Sequence, residues 1–140
     1  MKKPTKKALV TRLDKLARDI CKLEANFTCA RCGMVGDSST IQWAHIEGRR
    51  KKGGLLRWSQ NNCLALCAGE FSNSCHYWFD NNKIASSEWL REKYPEKYNW
   101  LHEPVNGKPR SEQIFKEDIF TLLELESELK ERLAALNKKD

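Results

Sequence analysis

Two pairs of cysteines dictate what this chain can fold into. Cys29-Ala30-Arg31-Cys32-Gly33 is a C-x-x-C knuckle, and Cys67 with Cys75 supplies a second pair further along. Four thiolates close a tetrahedral zinc site, and zinc binding then folds a segment with little hydrophobic core of its own. The opening Met1-Lys2-Lys3-Pro4-Thr5-Lys6-Lys7 lacks the apolar stretch of a secretory leader. The 6 cysteines therefore read as metal ligands in a reducing cytoplasm rather than as disulfides. Four are placed as ligands. Cys21 falls inside a helical pattern and Cys63 inside a strand pattern, where each reads as a small buried apolar residue.

Around that centre the patterning predicts an α+β chain in four blocks, 1–26, 27–102, 103–110 and 111–140. Leu9, Leu13, Leu16, Ile20 and Leu23 recur at helical spacing behind Thr5, a good N-cap, and predict an amphipathic helix ending near Asn26. The cysteine-centred block then holds a strand over 40–46, a basic loop, a strand over 63–66 and a helix from about His76. A short helix begins at Ser86 and breaks before Pro95. Tyr94, Tyr98, Trp100 and Leu101 read as an aromatic patch on the core. The turn residues of 103–110 read as a linker, and 111–136 as a long helix capped by Ser111. Its stripe of Phe115, Leu122, Leu129 and Leu136 is expected to pack on the N-terminal helix, with a homodimer seam as the sharper alternative.

Charge narrows the partner. The net charge is +6, and its distribution is uneven. Lys2, Lys3, Lys6 and Lys7 cluster at the start, while Arg49, Arg50, Lys51, Lys52 and Arg57 cluster in the loop between the two strands. Clustered cations of this kind neutralise phosphates along a nucleic acid. No apolar run approaches the length of a membrane span, which argues against a membrane partner.

The order Cys29, Cys32, Gly33, His45, Asn62, Leu66, Cys67, Cys75, His76 resembles the HNH endonucleases, most closely the small phage proteins that include NinG-type recombination nucleases. The resemblance covers about fifty residues, from Phe27 to roughly Asp80. It implies a zinc-stabilised ββα-metal core flanked by the N-terminal helix and the long C-terminal helix. It further implies a phage- or prophage-encoded DNA endonuclease working in the host-cell cytoplasm on duplex or branched DNA. Two departures stand out. Ala44 occupies the position where most members carry Asp or His as a metal ligand, and residues 68–74 widen the usual C-x-x-C-H.

By the same resemblance His45 is the general base, Asn62 bridges the loop and orients it, and His76 ligates a catalytic Mg²⁺, Mn²⁺, Ni²⁺ or Zn²⁺. A neutral histidine suits the base role near neutral pH, and one divalent ion can relieve charge on both the phosphoryl and the leaving oxygens. Asp80, one turn after His76 on the same helix face, is expected as a second ligand or as a capping or surface residue. With Ala44 unable to ligate, Glu47 is expected to reach in from two residues past His45, or water to fill the position, or the metal site to be weak. His102 is read as structural. Two other classes of function compete: a noncatalytic zinc-stabilised DNA-binding protein on the same scaffold, and a purely structural zinc module that assembles with another protein.

Overall fold

The computed structural model describes residues 3–48, 54–68, 73–112 and 118–138. Helix α1, Lys6–Glu24, opens where the Thr5 hydroxyl accepts the Ala8 N–H at 3.1 Å. It stops where Asn26 and Phe27 both take φ of 52°, a left-handed conformation costing a side-chain-bearing residue about 1 kcal/mol. The chain then turns through the knuckle. Gly33 there has φ of 78°, open to glycine and strained for any other residue. The Ala30 N–H donates to the Ala65 carbonyl at 2.8 Å and pins the knuckle to the hairpin.

In that hairpin, strands β1, Ile41–His45, and β2, Cys63–Cys67, pair antiparallel with Ile41 opposite Cys67 and His45 opposite Cys63. The alternation of a strand puts Ile41, Trp43 and His45 on one face, and Gln42 and Ala44 on the other. Two 3₁₀ turns, Gly54–Trp58 and Gln60–Asn62, lead into β2. Helix α2, Cys75–Asn81, comes after the hairpin with Ser74 as cap, its hydroxyl accepting the Tyr77 N–H at 3.2 Å. Helices α3, Lys83–Lys93, and α4, Pro95–His102, complete this half, with Pro95 in the first turn of α4 where its missing N–H does no harm. Residues of the hairpin, the knuckle, Phe79 and Leu90 form one core. Trp89 meets Trp78, Phe79 and Tyr94 edge-to-face, and Leu101 is fully buried. Tyr94 and Tyr98 pack against this core, and Tyr98 also stacks on His102 with ring centroids 4.1 Å apart.

The 103–110 segment is not an open linker. Asn106 and Gly107, with φ of 53° and 84°, turn a two-residue hairpin between β3, Pro104–Val105, and β4, Lys108–Pro109. The long C-terminal helix also starts later than its apolar stripe indicates. Ser111 lies in a 3₁₀ turn, and α5 runs Ile119–Asn137 with Asp118 as cap, accepting the Thr121 N–H at 2.8 Å. An aspartate that offers its carboxylate to the first-turn N–H groups wins the cap over a serine seven positions earlier. Phe115 lies outside the described residues. The α5 stripe packs on α1, forming a second core of Leu9, Leu13, Ala17, Ile20, Trp58, Leu122 and Leu129. Arg12 holds the buried Glu126 in a two-pronged ion pair at 2.6 and 3.0 Å, and Arg132 reaches Glu24 across the same interface. The apolar side of α5 is therefore engaged within the chain. Among the described residues no helix is long and apolar enough to cross a membrane.

Candidate functional site

The Sγ atoms of Cys29, Cys32, Cys67 and Cys75 all lie within 4.8 Å of one another. Sulfurs at about 2.3 Å from one tetrahedral zinc sit ~3.8 Å apart, and Cys32 and Cys67 are 3.9 Å apart. The donor set and the spacing fit, so this cluster could hold a metal ion such as zinc. Its surroundings act on the four thiols unequally. The Cys75 N–H donates to Cys67 Sγ at 3.3 Å, and the Arg31 guanidinium lies 3.6 Å from Cys75 Sγ while stacked 3.7 Å over the Trp78 ring. Burial pushes the Cys29 thiol up, but the N–H groups of Cys32, Cys67 and Arg31 outweigh it and bring it down to about 7. Burial drives Cys75 up to about 12, aided by the neighbouring Cys67 and Cys29 thiols and opposed by Arg31, and burial also raises Cys67. Without a cation the four sulfurs cannot all ionise. A metal resolves that conflict by expelling the remaining protons.

The other two cysteines lie outside the cage. Cys21 and Cys63 are buried against each other, and the bond between their thiols raises Cys21 and lowers Cys63. The indole N–H of Trp43, which finds no oxygen or nitrogen partner, lies beside the Cys63 sulfur.

His45 closes β1. Its Nε2 lies 2.9 Å from the Arg57 carbonyl oxygen, and its ring centroid is 4.2 Å from that of Trp43. A carbonyl only accepts, so Nε2 carries a proton, and the lone pair of the neutral form is then on Nδ1. Asn62, 1% exposed, ties the two ends of the β1–β2 connection together. Its Oδ1 accepts the Glu47 N–H at 2.8 Å, and its Nδ2 donates to the carbonyls of Glu47 at 3.2 Å and Leu56 at 3.0 Å. The Ile46 N–H donates to the Asn62 carbonyl at 2.9 Å. Asn61, one residue earlier, makes no comparable side-chain bond, because only Asn62 turns inward.

His76 sits in the first turn of α2, with Nδ1 2.6 Å from Gln42 Oε1 and Nε2 3.3 Å from Asp80 Oδ2. The helix repeat thus brings His76 and Asp80 together as their spacing predicts. Glu47 does not join them. β1 ends at His45, so Glu47 leaves the extended strand, and its side chain lines a groove of about 690 Å³ with Gly48, Phe79, Lys83, Ser87 and His102. Among the described residues the four cysteines are the only cluster of three or more metal-binding side chains. Ala44 has no exposed surface and belongs to the core.

Arg57, expected on the nucleic-acid-facing loop, is engaged elsewhere. Its guanidinium grips Asp14 of α1 at 2.9 and 2.6 Å, and the neighbouring Trp58 indole N–H donates to the same carboxylate at 2.8 Å. Neutralised in this way, Arg57 is an anchor for the 3₁₀ turn. Arg49, Arg50, Lys51 and Lys52 lie outside the described residues. His102, read from the sequence as structural, has Nδ1 2.8 Å from the Tyr98 carbonyl oxygen.

Three contributors escaped sequence reasoning. Gln42 shares a strand face with Ala44, an alternation that could have marked it. Arg31 sits inside the knuckle itself. Asp14 lies between the apolar positions of α1 and carries no signal of its own, because its partners are more than forty residues away. No family model, curated protein or solved structure matches the chain.

Proposed function

We propose that this chain is a metal-dependent DNA endonuclease of the HNH type, with β1, β2 and α2 as its ββα-metal core and a structural zinc on the four cysteines. The observation that carries this reading is the bond from His45 Nε2 to the Arg57 carbonyl, which orients the imidazole at a strand end. Asn62 supports the same reading, since its three side-chain bonds hold the loop just after His45. In the reaction, His45 Nδ1 takes the proton of a water as that water attacks the phosphorus, and the 3′-oxygen leaves. A divalent ion on His76 and Asp80 would neutralise charge on the phosphoryl and leaving oxygens. Arg49, Arg50, Lys51 and Lys52 contact the phosphate backbone and set the salt dependence of binding.

The test is cleavage of supercoiled plasmid and of branched DNA by zinc-loaded protein with added Mg²⁺, Mn²⁺ or Ni²⁺. His45→Ala is expected to lower cleavage by roughly 10²–10⁴-fold, the contribution of a general base, with DNA affinity near wild type. The buried Ala44 favours a second reading, a noncatalytic zinc-stabilised DNA-binding protein. No cleavage by the wild type with any of these ions, while it still binds DNA, would establish that reading over the first.

A further inference from the structure

Both nitrogens of the His76 ring face oxygen acceptors, Gln42 Oε1 at 2.6 Å and Asp80 Oδ2 at 3.3 Å. A neutral imidazole has one N–H to give. The Gln42 carbonyl oxygen only accepts, so Nδ1–H donates to Gln42, and in the neutral ring the Nε2 lone pair is on the side of Asp80. Ligands held at 2.0–2.1 Å by one ion at right angles are ~3 Å apart, close to the spacing of Nε2 and Oδ2. Gln42 itself cannot share such an ion, because the two ring nitrogens point away from each other.

We propose that Gln42 is the positioning residue of a divalent-metal half-site, holding His76 with Nδ1 protonated so that Nε2 and the Asp80 carboxylate face one cation. A histidine that ligates a metal through one nitrogen usually donates the other N–H to an oxygen that fixes its tautomer and orientation. Gln42 plays that part from the strand face it shares with Ala44. The chain thus keeps Ala44 as a packed core residue and uses the next position on the same face to aim the helix ligand rather than to add one. The inference rests on the metal-binding role proposed for His76 and Asp80. It also specifies which atom of the ring ligates.

The probe is Mn²⁺, a hard ion that does not compete for the thiolate cage. Free Mn²⁺ is measured by electron paramagnetic resonance during titration of zinc-loaded protein, and nitrogen-15 NMR of the same protein without Mn²⁺ reads the His76 tautomer. Gln42 is exposed, so its variants should keep the fold, checked by one bound zinc per chain. Wild type is expected to show the Nδ1–H tautomer. Gln42→Leu is expected to weaken Mn²⁺ binding about 10–100-fold and to mix the tautomers, and Gln42→Glu, which keeps an acceptor, to restore both. Gln42→Leu binding Mn²⁺ within threefold of wild type, or a wild-type His76 protonated on Nε2, overturns the role of Gln42. If Mn²⁺ binding is also indifferent to His76→Ala and Asp80→Ala, the metal half-site itself falls. If those two variants lose Mn²⁺ and Gln42→Leu does not, only the positioning role falls.

Discussion

Asn62→Ala removes the clamp on the β1–β2 connection, and the bonds it deletes set the size of its effect. The side chain makes three hydrogen bonds at 2.8, 3.0 and 3.2 Å from a position 1% exposed. Each such bond contributes about 1 kcal/mol net, and a buried partner left unpaired costs a further 1–3 kcal/mol. Leu56 is buried and its carbonyl keeps only the Ser59 N–H at 3.2 Å, whereas Glu47 is half-buried and water can replace its two bonds. The expected loss is therefore about 2–3 kcal/mol, near the sum of three net bonds and short of three full desolvation penalties. Urea denaturation with zinc held saturating reads it as a midpoint lowered by roughly 0.7–3 M, for slopes of about 1–3 kcal/mol per molar. Asn62→Asp sharpens the test. It keeps the acceptor for the Glu47 N–H but sets a carboxylate against two carbonyl oxygens, so at neutral pH it should destabilise at least as much as alanine. It should recover partly near pH 4, where a protonated carboxyl can donate again. A change below about 0.5 kcal/mol in Asn62→Ala, or wild-type stability in Asn62→Asp, would refute the clamp and leave Asn62 free to act on substrate.

Removing zinc with a strong chelator is expected to unfold the hairpin and knuckle, seen as loss of near-ultraviolet dichroism, with one zinc released per chain. Cys21→Ser and Cys63→Ser should leave that zinc content unchanged, since both thiols lie outside the cage. Zinc affinity should fall as pH falls, because bound thiolates must first lose protons. Cys75, raised to about 12, and Cys67, also raised, give up theirs at any neutral pH, and Cys29, at about 7, adds one more below pH 7. The slope of log affinity against pH should steepen there, and a flat profile between pH 8 and 6 would rule out the thiolate cage. Asp14→Ala strips Arg57 of its partner and leaves the indole N–H of Trp58, 1% exposed, without an acceptor. That should cost about 2–4 kcal/mol in urea denaturation, and a loss under 0.5 kcal/mol would show that the anchor is dispensable.

The cysteine cage was legible in the sequence because ligand chemistry allows few choices. Two close pairs flanking a strand pattern can meet only at one ion, and the four sulfurs do converge. The helix α1, the two strands and the His76–Asp80 pair were legible for a related reason, since each rests on a period fixed by local backbone geometry. The start of α5 was misread because an apolar stripe marks a face and not an end. Caps set ends, and Asp118 outcompetes Ser111. The 103–110 hairpin was missed because two-residue strands carry no alternation to read.

Only the tertiary structure decided which polar side chains meet across the fold. Arg57 belongs to a basic stretch by sequence and to Asp14 by contact. Glu47 comes just after His45 in sequence, but the strand ends first and the Asn62 clamp turns the backbone away. Gln42 was silent until α2 laid His76 against it. The difference is physical. Metal ligands, caps and periodic faces are specified by residues a few positions apart, whereas hydrogen-bond partners separated by thirty or more residues exist only once packing has set the distance between their elements.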